Sequence, residues 1–410
     1  MNIFFEPPQM KTENCNSSDG KGNSPDSKNG GIYIHIPFCV RKCDYCDFYS
    51  VTDLSLIPDF VSALIREMQI RSSHVHFPCD TIYLGGGTPS VPKPEYIRMI
   101  LNTAFHCFDL NPHAEITLEA NPGTLSPEML REFRNMGINR INIGVQSFSD
   151  ENLGFLGRIH TSREAALALE WAEKAGFDNI GLDLIYALPG QSEKDWCSDM
   201  EQALEFSPAH LSCYMLSYES ETPLTKKMEK GIFSPLEDES SGNLFEFTAE
   251  FLESREYSHY EISNFARSPD LQSRHNRKYW SFAPYIGLGP AAHSFFPPQR
   301  CWNCRSVTEY IHLLKQNVLP EAGKEFLTSE QEIMEAVYLG LRKKEGIVIR
   351  EFEKRFAVCF DDLFGKLREE FKEKGFLEAD TDRCALSLQG MRFIDSITSL
   401  FADQIPEIKP

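Results

Sequence analysis

From residue 31 onward two hydrophobic patterns take turns along the chain. Short stretches rich in Ile, Leu, Val and Tyr recur at 31–37, 81–89, 115–123, 140–148, 179–190 and 210–219. Between them, 55–73, 94–107, 126–136, 162–176 and 192–206 carry apolar residues at helical spacing. Ser126 and Ser192 open two of these as caps, and Gly137 and Gly176 follow two helix ends. Such β-α alternation predicts an α/β fold, a parallel sheet with helices outside, and six units predict a partial (βα)6 barrel. Several strand ends carry groups too polar or too small for a core: Gly85-Gly86-Gly87-Thr88-Pro89, Glu119, Gln146-Ser147 and Asp183. In barrels of this type, C-terminal strand ends build the active site.

Beyond residue 219 the pattern changes. A helix is expected at 238–255, a strand at 257–265, and a connector rich in Trp, Tyr, Pro and Gly at 274–296. From 329 the spacing predicts helices at 332–342, 349–357 and 363–374. Strands at 376–378 and 384–388 flank a turn at Asp380-Thr381-Asp382-Arg383. Three short helices and a hairpin predict a mainly helical, winged-helix-like C-terminal domain. The expected organisation is a disordered leader at 1–30, a barrel at 31–265, a connector at 266–328 and a C-terminal domain at 329–410. The leader is Ser-, Asn- and Lys-rich, without the apolar core of a secretory signal, and its Cys15 is incidental.

Composition narrows the function. A net charge of −19 leaves no electrostatic footprint for nucleic acid or an anionic membrane. No run of about 18 apolar residues occurs, so no integral membrane segment is expected. Twelve cysteines scattered over the chain suit a reducing, cytoplasmic setting.

Cys39, Cys43 and Cys46 form a C-x3-C-x2-C loop directly after the first strand. Three thiolates in one loop suit three irons of a [4Fe–4S] cube, and the fourth iron stays open to a bidentate small molecule. Zinc is the other reading, but structural zinc sites usually pair their ligands as two C-x2–4-C or C/H pairs. His35 alternates with Ile34 and Ile36 and so points away from the triplet.

The segments Tyr33-Ile-His-Ile-Pro-Phe-Cys, Gly85-Gly-Gly-Thr-Pro, Leu118-Glu-Ala-Asn-Pro-Gly, Gly144-Val-Gln-Ser-Phe, Leu156-Gly-Arg-Ile-His, Asp183-Leu-Ile-Tyr-Ala-Leu-Pro-Gly and Tyr260-Glu-Ile-Ser-Asn-Phe-Ala follow one another in order. Together they resemble the coproporphyrinogen-oxidase-like branch of the radical S-adenosylmethionine (SAM) superfamily, and within it the heme chaperones. The resemblance implies a cluster on Cys39, Cys43 and Cys46, with SAM chelating the open iron and meeting Tyr33, Gly86 and Glu119. It also implies a neighbouring site lined by Tyr45, Gly87, Thr88, Gln146, Arg158 and Asp183, which in the oxidase holds a second SAM. An electron donor is implied if SAM is cleaved.

Two features divide chaperone from oxidase. The oxidase has a further cysteine two residues after the third ligand, where this chain has Phe48. His275-Asn276-Arg277-Lys278-Tyr279-Trp280 resembles the H-N-x-x-Y-W element of the chaperones, which implies heme contact through His275, Tyr279 and Trp280. His293 is a second imidazole candidate. The resemblance therefore implies heme as cargo and an acceptor protein as partner. The alternative is oxygen-independent coproporphyrinogen III oxidation. Cys301 and Cys304 form a C-x2-C pair in a Pro-rich loop setting and are expected to be coincidental.

Overall fold

The computed structural model describes residues 29–406. The leader expected at 1–30, with Cys15, lies outside them save for its last two positions. All six expected strands are present: β1 (Gly30–Ile36), β2 (Cys79–Gly86), β3 (Leu110–Ala120), β4 (Arg140–Gln146), β5 (Ile180–Tyr186) and β6 (His210–Met215). Each pairs in parallel with the next. Their period-2 alternation sorts the residues. Ile32, Ile34, Ile36, Ile82, Leu84, Ile141 and Ile143 turn to the helices and join one core with Phe60, Leu64, Ile97 and Leu130. The opposite face carries Tyr33, Tyr83, Glu119, Asn142 and Asp183, so the barrel interior is polar.

The sheet runs further than the alternation predicts. Beyond β6 lies an antiparallel pair, β7 (Ser258–Glu261) and β8 (Asn264–Ala266), where a single strand was expected. On the other side, β9 (Tyr285–Leu288) pairs in parallel with β1. β10 (His293–Phe296), β11 (Gln299–Asn303) and β12 (Glu321–Phe326) then follow antiparallel. The expected connector is therefore largely a continuation of the sheet, preceded by a helix at Arg274–Trp280. The order is β12-β11-β10-β9-β1-β2-β3-β4-β5-β6-β8-β7, an open barrel.

The C-terminal domain holds helices Ser329–Arg342, Ile349–Phe356 and Phe360–Glu373 around a sheet of β13 (Ile347–Val348), β14 (Leu377–Ala379) and β15 (Arg383–Leu386). Phe352, Phe360, Phe364 and Phe401 pack its core through edge-on and tilted ring contacts. Two terminal helices, Leu388–Met391 and Ile394–Ala402, were not expected. The Lys344 N–H donates to the Tyr260 carbonyl at 3.1 Å, tying the domain to the barrel. Among the described residues no helix is long and apolar enough to cross a membrane.

Candidate cofactor site

The C-terminal ends of β1–β6 surround a cavity of about 540 Å³. Cys39, Cys43 and Cys46 line it together with Tyr45, Gly86, Gly87, Thr88, Glu119, Gln146, Arg158 and Asp183. The cysteine loop is pinned from both sides. The Asp44 N–H donates to the Leu156 carbonyl, the Leu224 N–H donates to the Asp44 carbonyl, and Lys227 meets the Asp44 carboxylate at 2.6 Å. Thr88 and Arg158 each reach a cysteine sulfur, Cys39 and Cys43 respectively, at 3.4 Å.

The glycine run has a structural reason of its own. A Cβ on Gly87 would lie 2.9 Å from backbone atoms of Ile36 and Phe38, so the two strand ends meet only through glycine. Gly86 holds a φ of +106° and gives its N–H to Glu119 at 3.2 Å.

Glu119 and Asp183 are the buried acids of the mouth. Burial raises the Glu119 carboxyl to about 7. Hydrogen bonds from Tyr83 (2.7 Å) and Gly86 offset part of that, and Asp183 adds to it. Burial also raises Asp183, which accepts from Asn142 at 2.6 Å while its Oδ1 has no partner. Arg158 gives one nitrogen to the Gly144 carbonyl at 2.7 Å and keeps its Nε unpartnered. These open valences suit a ligand bearing both cationic groups and hydroxyls. Tyr83 and Asn142 are partners that sequence reasoning missed, although both sit at inward positions of strands whose outward positions are Ile and Leu.

The thiols fit a cluster rather than a single ion. Among the described residues no three His, Cys, Asp or Glu side chains gather around one ion-sized point. A cube puts each thiolate on a different iron, so its cysteines line a mouth together without converging. Burial pushes the Cys46 thiol up to about 11.

Tyr33, His275, Tyr279, Trp280 and His293 do not line the mouth. Tyr33 bonds His35 at 3.0 Å and does not line the cavity. His275 sits at the N-terminal ends of the strands, 1% exposed. One ring nitrogen is on Thr81 at 2.8 Å and the other on the Tyr279 hydroxyl at 3.0 Å. Neither nitrogen is free for a heme iron while that helix keeps its seat. His293 is exposed on β10, stacked on Trp302. Cys301 and Cys304 are buried, unoxidised thiols. Phe48 is 69% exposed at the rim of the mouth.

Comparison with known proteins agrees with this geometry. Residues 33–203 match the Radical SAM superfamily, and 327–393 match the HemN C-terminal domain. Coproporphyrinogen III oxidase (HemN) of Escherichia coli shares the fold, with a TM-score of 0.81 at 22% identity over 92% of this chain and 90% of its own. The heme chaperone HemW of Lactococcus lactis is 34% identical over 375 residues, which is 91% of this chain and 97% of that one. HemW of Escherichia coli is 34% identical over 90% of this chain and 97% of its own. With that identity sustained over nine-tenths of both lengths, the chain belongs to the HemW family, within the radical SAM superfamily.

Proposed function

We propose that this chain binds heme and passes it to an acceptor protein, with a [4Fe–4S] cluster on Cys39, Cys43 and Cys46 and an exchangeable SAM beside it. Phe48 carries the choice of heme handling over porphyrinogen oxidation. The rim position where the oxidase branch has a thiol holds a side chain with no acid–base or redox capacity. The heme-chaperone names of the relatives support the same choice.

A cluster with one iron free of cysteine supplies a chelation point for an amino and a carboxylate group. Glu119 is suited to an ammonium, and Asp183 and Asn142 to ribose hydroxyls. Arg158, with Gln146, Thr88 and Tyr45, lines the neighbouring room. A cytoplasmic setting belongs to the same proposal, because the described cysteines are all unpaired. The intact cysteine loop keeps coproporphyrinogen III oxidation as the second reading, with an external electron donor.

Anaerobic protein with reconstituted cluster separates the two. The expected result is a one-to-one heme complex that survives gel filtration, with no protoporphyrinogen formed from coproporphyrinogen III. Absence of heme retention together with turnover of coproporphyrinogen III would overturn the proposal.

A further inference from the structure

β4 ends in a backbone conformation that few residues adopt. Gln146 holds a φ of +70°, in the left-handed region where a residue with a side chain is strained. The pairing slips at the same point. Gly144 faces Asp183 and Gln146 faces Leu184, so Val145 is passed over as a β-bulge. Bulges beside a site re-aim a side chain, and this one aims Gln146. Its side chain folds over Gly144, where a Cβ would lie 2.8 Å from the Gln146 Nε2. Gln146 lines the mouth, 8% exposed, and its amide has no hydrogen-bond partner among the described residues.

Polar side chains fasten that turn from behind. Asp199, on the Glu193–Glu205 helix, accepts from the Ser147 hydroxyl and from the Phe148 N–H, both at 2.7 Å. The Ser147 oxygen in turn accepts from the Ser149 N–H at 3.0 Å and from Asn152 at 3.1 Å. On the other side, the His160 Nε2 donates to the Val145 carbonyl at 3.1 Å, and Arg158 donates to the Gly144 carbonyl at 2.7 Å. The residues flanking Gln146 are thus held in place, and Gln146 takes up the difference in its own φ.

Asp199 is the unusual member of this set. It is 2% exposed, burial raises its carboxyl, and no cation stands among its partners. A buried carboxylate without a cation is costly, so its worth lies in what its hydrogen bonds hold. Those bonds also steady the turn into the Asp150–Phe155 helix. A helix entry by itself asks for no strain, whereas a left-handed glutamine with an open amide at a cavity wall is strain stored at a site.

We infer that Asp199 is a positioning residue of the mouth. Through the Ser147–Phe148 turn, with His160 holding Val145, it forces Gln146 into the left-handed backbone and presents a free amide, donor and acceptor together, to the bound SAM. The inference rests on the SAM binding proposed above. It adds a residue that touches no ligand and acts only through Gln146.

Calorimetric titration of SAM into full-length, cluster-reconstituted protein tests it as a double-variant cycle. Gln146→Ala and Asp199→Ala are each expected to weaken SAM at least tenfold. The two together should lose no more than about twofold beyond the weaker single variant, because both remove one interaction. A residue that only stabilised the fold would lower the melting temperature and leave SAM affinity unchanged. A second cycle needs no ligand. Gln146→Gly should melt above Gln146→Ala, since both lack the amide and only alanine is strained there, and the gap should shrink in an Asp199→Asn background. That cycle keeps the inference testable if Asp199→Ala misfolds. Wild-type SAM affinity in Asp199→Ala, losses that multiply in the double variant, or a gap that Asp199→Asn leaves untouched would each overturn it. If wild type itself binds no SAM, the SAM binding fails, and the melting cycle still decides whether Asp199 holds the turn.

Discussion

Glu119 shows how a single side chain reports the purpose of the mouth. Its carboxyl sits at about 7 in the fold against an ordinary 4.5, chiefly because it is buried, with Asp183 nearby adding to the rise. The folded state therefore holds a proton that the unfolded chain releases, and between those values stability falls as pH rises. The stability it contributes is present below pH 4.5 and lost as pH rises through 7. Ligand-free Glu119→Gln is expected to melt above wild type at pH 8, with the gap closing by pH 5. Asp183, shifted the same way, stays in both proteins, so the gap reads Glu119 together with its coupling to Asp183. The same variant should weaken SAM at least tenfold by calorimetric titration. A gap that does not change with pH would show that ionisation of this carboxyl is not its cause. At this scale the sequence was partly legible. Glu119 and Asp183 stood out as acids at the ends of apolar strands, whereas Tyr83 passed as an ordinary strand aromatic because its hydrogen bond to Glu119 crosses between strands.

At the scale of elements, the Arg274–Trp280 helix depends on the barrel for its existence. Seven residues are too few to hold a helix alone in water. Ser273 caps it, and Glu115 accepts from the N–H groups of Arg274 and His275 at 3.2 and 3.1 Å. Lys278, 1% exposed, lies 2.6 Å from Asp80, which also meets Arg274 at 3.0 Å. Burial alone would raise Asp80, but these two cations hold it below the ordinary carboxylate value. Asp80→Asn leaves the buried Lys278 ammonium without its counter-charge, holding only the Asn29 carbonyl at 2.9 Å, and the expected loss is roughly 3 kcal/mol by urea unfolding. Asp80→Asn combined with Lys278→Met should recover much of it. A single variant within about 1 kcal/mol of wild type would show that Lys278 finds water or another partner. The motif was visible in the sequence, but its seat was not. The contacts that hold it come from Asp80 and Glu115, more than 150 residues away. β12 was hidden for a different reason. Glu321–Phe326 is an edge strand exposed along nearly its whole length, so it has no alternation to read.

For the whole molecule, the β-α period was enough to reveal the barrel, because each outward strand face must be apolar to meet a helix. How the C-terminal domain seats was not legible, since its contacts with the barrel join residues far apart in sequence, such as Lys344 on Tyr260, Arg342 on Glu261, and Ala336 and Leu339 against Phe282 and Phe295. That seating leaves the cysteine mouth at the strand C-termini and a second cavity between the C-terminal domain and the Arg274–Trp280 helix, which sits at the strand N-termini. Between them lies a continuous polar layer. Glu119 accepts from Tyr83, Tyr83 stacks on His275 at 5.2 Å, and His275 bonds Tyr279. The layer is packed, and a packed layer of this kind separates the two sites. Replacing Cys39, Cys43 and Cys46 together by Ser should therefore abolish the iron–sulfur absorption while heme still binds one to one, within threefold of wild-type affinity. Were heme affinity instead to fall tenfold or more, the layer would have to carry about 1.4 kcal/mol of coupling. Linkage would then require SAM binding to the intact protein to respond to heme by the same factor, a reciprocity that the same titrations can measure.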